Sequence, residues 1–206
     1  MSTTVLAVFI PTFFFVSLTP GMCMTLSMTL GMTIGVRRTF GMMAGELIGV
    51  GLVAAASVIG VAAIMLQYPL IFTVVKSLSG LYLGYLGVQL WRSKGRMALS
   101  SEAEESNHSS ISQLAIQGFI TAVANPKGWA FFIALLPPFI DKQQPLFGQL
   151  SILLGIIISI EFSCLLLYAG GGKTLNHLLH KKGNLQLLNR IAGSLMIAVG
   201  IWLALS

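Results

Sequence analysis

Between residues 5 and 34 the chain carries no charged side chain, and in the middle of this apolar stretch stands a break, Ser17-Leu18-Thr19-Pro20-Gly21. That combination leaves few folds open. A membrane-crossing helix needs about 20 apolar residues, at about 1.5 Å each, to cover about 30 Å of hydrocarbon. Proline removes a backbone donor and glycine loosens the backbone, so this helix cannot run through unbroken. A helix broken in lipid leaves N–H and C=O groups unpaired, at a cost of several kcal/mol each unless protein or a polar cavity receives them. A second break, Ala124-Asn125-Pro126-Lys127-Gly128, holds an equivalent place in the second half. The two are expected to face each other inside a membrane and form a substrate site.

Composition agrees with a membrane setting. Of 206 residues, 55% are hydrophobic and 9% charged, against about 25% charged in an ordinary soluble domain. A soluble globule of this size has too little interior for so much apolar surface. The net charge of +6 does not indicate a nucleic-acid partner, because the basic residues form no single patch. They sit in short clusters at the ends of apolar runs, as membrane flanks do. Cys23 and Cys164 fall inside apolar runs and are expected to be reduced, packed thiols without a disulfide. Met1-Ser2-Thr3-Thr4 lacks the positive start of a signal peptide, so the first run is expected to be retained.

Six apolar runs can be drawn, at residues 5–34, 39–66, 71–91, 113–140, 146–170 and 187–205. The first and fourth are too long for one straight span. Short proline-containing turns, Gln67-Tyr68-Pro69 and Asp141-Lys142-Gln143-Gln144-Pro145, separate the second run from the third and the fourth from the fifth. Residues 92–112 are basic, then acidic, then serine-rich, and read as a flexible linker between a first repeat, 1–91, and a second, 113–206. Three spans per half place the halves in opposite orientations. The expected fold is therefore an all-α integral membrane protein of six transmembrane helices in two inverted three-helix repeats, with the first and fourth helices broken at proline. Arg37, Arg38, Arg92, Lys94, Arg96, Lys173, Lys181, Lys182 and Arg190 all fall in or beside the first, third and fifth connections, while the opposite connections hold Lys76 and Lys142. The positive-inside rule makes the first set cytoplasmic and puts both termini outside.

Eight residues in these runs carry the candidate chemistry. Thr19 and Asn125 each precede a proline and are placed to cap the half-helix that follows. With Pro20, Gly21 and Pro126 they would turn free N–H groups and a positive dipole end toward a ligand carboxylate; the plainer reading is a pair of packing kinks. Lys127, at apparent mid-membrane depth, either binds a substrate carboxylate, pairs with a buried glutamate or snorkels to an interface. Glu46 and Glu161 are the acidic residues inside apolar runs. Away from water a carboxyl is cheaper to hold neutral, which suits a proton carrier or a partner for a substrate ammonium; a structural carboxylate bonded to a hydroxyl or to Lys127 is the alternative.

Most other features read structurally. Gly41, Gly45 and Gly49 line one face of the second run and Gly80, Gly84 and Gly87 one face of the third, as close helix contact in lipid requires, within a subunit or between subunits. Gly170-Gly171-Gly172 reads as a helix stop. His177 and His180 have no carboxylate or cysteine near them in sequence, so no metal is expected there. The chain contains no HExxH, GxSxG or GxxxxGK[ST] pattern, so neither an enzyme nor a nucleotide cofactor is expected.

Taken together, Leu18-Thr19-Pro20-Gly21, Gly45-Glu46, Tyr82-Leu83-Gly84-Tyr85-Leu86-Gly87, Asn125-Pro126-Lys127 with Phe131-Phe132, and Pro138-Phe139-Ile140-Asp141 resemble, in order and spacing, the LysE/RhtB family of bacterial amino-acid exporters. The resemblance implies an inner-membrane exporter of amino acids or close derivatives, driven by the proton-motive force and working as a homodimer. The chain departs from the family pattern where a second proline and an asparagine usually follow Pro20-Gly21; here Met22 and Cys23 stand. Glu46 replaces the family's usual aspartate. Glu161 with the apolar-aromatic stretch after it resembles the leucine-exporting branch.

The expected activity is exchange of protons for a small zwitterionic amino acid across the bilayer. The substrate carboxylate would sit at the half-helix ends near Lys127 and its ammonium at Glu46, with Glu161 close by. The competing expectations are a metal-cation transporter of the same architecture, with Glu46 and Glu161 as ligands, and an intramembrane enzyme or a scaffold without flux.

Overall fold

A computed structural model describes residues 3–92, 109–136, 139–140, 144–180 and 184–205. These are helical: α1 (Thr3–Leu18), α2 (Met22–Thr33), α3 (Val36–Gln67), α4 (Pro69–Arg92), α5 (Ile111–Val123), α6 (Pro126–Leu135), α7 (Leu146–His180) and α8 (Asn184–Leu205). The exterior is unusually apolar. Leu70, Leu81, Ile111 and Phe147 are exposed, while a mainly apolar core also holds Thr12, Ser17, Thr25, Ser27 and Glu46. An apolar exterior with polar groups held inside is the arrangement that lipid as solvent selects.

Both proline breaks appear where the sequence puts them. α1 and α2 meet at a bend of 55°, and α5 gives way to α6 at Ala124–Asn125. By length and composition three described helices can cross a membrane, within Val36–Gly60, Leu146–Gly172 and Asn184–Trp202, and four if the bent α1–α2 pair counts as one. α4 and the α5–α6 pair occupy the third and fourth expected runs. Gly35 joins α2 to α3 with φ +82, a left-handed turn that glycine enters without strain.

The glycine triplet interrupts the helix as expected: within α7 one helical segment ends and another begins at Gly172, whose φ of 36 and ψ of −119 are non-helical and are tolerated well by glycine. The fourth apolar run, drawn from about residue 113, is helical from Ile111, because Ser110 caps α5 in a capping box: its hydroxyl accepts from the Gln113 N–H and its own N–H donates to Gln113 Oε1. The linker core, 93–108, lies outside the described residues, as do Pro138 and Asp141 of the fourth-run motif.

The halves pack by exchange. α3 of the first half lies against α5 and α6 of the second, α7 lies against α1 and α2, and α4 pairs with α8. Glycines make these contacts close. A Cβ on Gly45 would collide with the Ala115 backbone and one on Gly118 with the Met42 carbonyl, both across the α3–α5 seam. Gly87 faces the Gly193 carbonyl and Gly200 faces the Gly80 carbonyl across α4–α8, at 2.7 and 2.6 Å from the Cβ positions. An aromatic cluster seals one side of the interior: Phe13 packs on Phe131 and Phe132, and Phe9 meets Phe139 edge-on.

Candidate functional site

The two breaks share a local geometry that follows from proline chemistry. Pro20 has no N–H to give the carbonyl four residues back, Val16; Pro126 has none for Ala122. In each case the preceding residue closes a tighter turn on that carbonyl, Thr19 N–H to Val16 O at 3.2 Å and Asn125 N–H to Ala122 O at 3.2 Å. Side chains from elsewhere then complete the pairing. Lys127 Nζ donates to Val16 O at 3.1 Å, Tyr168 Oη donates to Leu18 O at 2.8 Å, and Trp129 Nε1 donates to Val123 O at 2.8 Å. The ammonium of the second break thus stands in for the N–H missing from the first.

The starts of the following half-helices differ. Asn125 caps α6 as expected, its Oδ1 accepting from the Lys127 N–H at 3.1 Å, with Pro126 in the first turn. Thr19 does not cap α2. Its hydroxyl turns back to the Phe15 carbonyl at 2.8 Å, and the cap position is Gly21, extended and without a side-chain cap bond. The reason is register: α2 begins at Met22, so Thr19 lies too far back to reach its first turn. The α2 start therefore keeps its N–H groups for another acceptor.

Around these breaks lies a cavity of about 60 Å³. Thr19 and Gly21 line it from the first break, Asn125 and Lys127 from the second, and Glu46 and Glu161 from α3 and α7. Pro20 and Pro126 shape the breaks and do not line it. Glu46 is 1% exposed, and its Oε2 has no hydrogen-bond partner among the described residues. Glu161 accepts from Ser17 Oγ at 3.0 Å through Oε1, while its Oε2 is likewise buried and unpartnered. The Cys23 thiol lies in the same wall, against Glu46 and Asn125. A carboxylate has about four lone-pair sites, so buried Glu46 and half-buried Glu161, each with an open buried oxygen, and a half-buried ammonium leave room for a polar ligand. Among the described residues no three His, Cys, Asp or Glu side chains come together in a metal-holding group.

Tyr168 and Ser17 are the residues sequence reading left without a role. Both are hydroxyls in apolar runs, and that was the available signal. Replacing Tyr168 with Phe keeps the ring and strips the Leu18 carbonyl of its donor. We expect Tyr168→Phe to cost about 1–3 kcal/mol, read as a lower melting temperature in detergent with the folded fraction intact. An unchanged melting temperature would show that this bond does not hold the break.

The LysE type translocator family model matches residues 14–206. A homoserine/homoserine lactone efflux protein of Salmonella typhimurium is 29% identical over 188 residues, covering 91% of this chain and 90% of its own. A leucine efflux protein of an Enterobacter species is 27% identical over 194 residues, covering 93% and 90%. An uncharacterized membrane protein of Vibrio cholerae is 26% identical over 188 residues, covering 91% and 90%. No solved structure matches the chain.

Proposed function

Because the chain belongs to the LysE type translocator family, and so is a transporter rather than an enzyme, we propose that it exports a small neutral amino acid or close derivative in exchange for protons. The single observation that carries this reading is the meeting of both proline breaks, Glu46, Glu161 and Lys127 around one cavity. The efflux names of the relatives supply the substrate class. The substrate carboxylate binds between Lys127 and the uncapped start of α2, where the helix dipole favours an anion. Its ammonium takes the open oxygens of Glu46 and Glu161.

Protonation of a glutamate from the outer side removes the charge that holds the ammonium and releases the substrate outward. Return of the proton to the inner side resets the site. Alternating access then follows from the two halves, taken as inverted three-helix repeats, rocking about their exchanged packing. The setting is a bacterial inner membrane with both termini outside and the basic connections within.

The test is flux from proteoliposomes loaded with radiolabelled alanine, homoserine or leucine. One pH unit across the membrane is about 1.4 kcal/mol per proton, a tenfold concentration ratio for one-for-one exchange. Efflux that speeds up with an imposed proton gradient and stops with a protonophore is the expected result. Flux indifferent to the gradient would remove the coupling, and absence of flux for every amino acid would remove the function.

A further inference from the structure

The cavity at the breaks is too small for a whole amino acid. At about 60 Å³ it holds about four to six water-sized groups. That fits the shared head group, a carboxylate, the α-carbon and an ammonium, and leaves no space for a side chain beyond it.

A second space lies on the other side of Lys127. It measures about 290 Å³ and is lined by Leu86, Gln89 and Leu90 of α4, Met196 of α8 and Lys127 itself. Leu86 and Leu90 are one helical turn apart and so present one apolar face; both are half-buried, and Met196 is buried. Gln89 is bonded to the Tyr85 hydroxyl at 2.7 Å. The walls thus combine one cation, one amide already bonded on its own helix, and three apolar side chains. Among the described residues none that lines it is acidic.

Lys127 is shared by the two spaces. An ammonium has three donors, and Val16 O takes one of them. A carboxylate held by the others would place its α-carbon at the junction. We infer that the groove between α4, α6 and α8 is the side-chain subsite of the transporter, with Leu86, Leu90 and Met196 setting which neutral, apolar side chains it takes. This rests on the reading of the break cavity as the head-group site. A second ammonium on the substrate side chain is disfavoured, because it meets Lys127 and, among the described lining residues, no anion.

The experiment compares the wild-type chain with Leu90→Trp, which fills the groove, and Leu86→Ala, which enlarges it, in proteoliposomes with alanine, leucine and phenylalanine. Leu90→Trp should lower the leucine-to-alanine ratio of kcat/KM about tenfold or more, the scale on which apolar pockets discriminate by volume. Leu86→Ala should raise the phenylalanine-to-leucine ratio several-fold. Ratios that stay at the wild-type value in both variants, as for a groove filled by lipid or by a second copy, overturn the subsite and leave the head-group reading standing. If Leu90→Trp fails to fold, the Leu86→Ala ratio decides alone. A wild-type chain that moves none of the three overturns both readings.

Discussion

Glu46→Gln is expected to abolish gradient-driven export while the protein still folds and inserts. Glutamine keeps the size and the hydrogen-bonding reach of the side chain but cannot carry the proton. Glu46 is 1% exposed, lies against Cys23 and leaves one oxygen without a partner, so an amide in its place breaks no ion pair. The reading that separates coupling from binding is counterflow, in which labelled and unlabelled substrate exchange without net proton movement. The variant should lose gradient-driven efflux to background and retain counterflow at a raised KM, since the neutral amide still accepts from the substrate ammonium. Wild-type efflux by this variant would move the proton site to Glu161, whose other oxygen is already bonded to Ser17.

The largest effect on the fold is expected at Gly45. Here α3 and α5 approach backbone to backbone, and a Cβ would overlap the Ala115 carbonyl. A flexible side chain could swing away; a carbonyl in a helix cannot. Gly45→Val is expected to force the seam apart at a cost of about 1–3 kcal/mol or more, and with it to displace Glu46, the next residue along. Fluorescence-detected size exclusion and thermal challenge in detergent should show loss of the monodisperse peak. Gly60→Val is the control, because a Cβ there meets nothing within 4 Å among the described residues. Equal behaviour of the two variants would show that the α3–α5 seam is not tight.

The helices and the two breaks were legible in the sequence because they depend on local chemistry: apolar length, the donor that proline lacks, the freedom of glycine. Proline alone was not the signal. Pro11 lies inside α1, which continues past it, whereas Pro20 is followed by Gly21 and Pro126 is preceded by the capping Asn125. The capping box at Ser110 and Gln113 went unread, although a serine three residues before a glutamine is its signature, and it starts α5 at Ile111.

What the sequence could not show is who meets whom. Ser17 reaches Glu161 across 144 positions, Lys127 reaches Val16 across 111, and Tyr168 reaches Leu18 across 150. Tyr168 reads as one more apolar aromatic until a particular carbonyl is placed beside it. Thr19 reads as a cap until the helix start is fixed three residues later. The groove at Leu86 and Met196 joins α4, near the middle of the chain, to α8, more than 100 residues later, and no periodicity within either one reveals it.

The exchanged packing also sets an order of events during synthesis. The first broken helix enters the membrane long before its partners exist. Its Val16 carbonyl waits for an ammonium at residue 127 and its Leu18 carbonyl for a phenol at residue 168. α3 gains its glycine-seam partner, α5, only after the linker has been made, and α4, which touches α3 and α6, meets its main partner only with α8. The side chains that complete the first broken helix, Lys127, Glu161 and Tyr168, are thus all made after the linker, so its polar contacts form only once the later helices are in place.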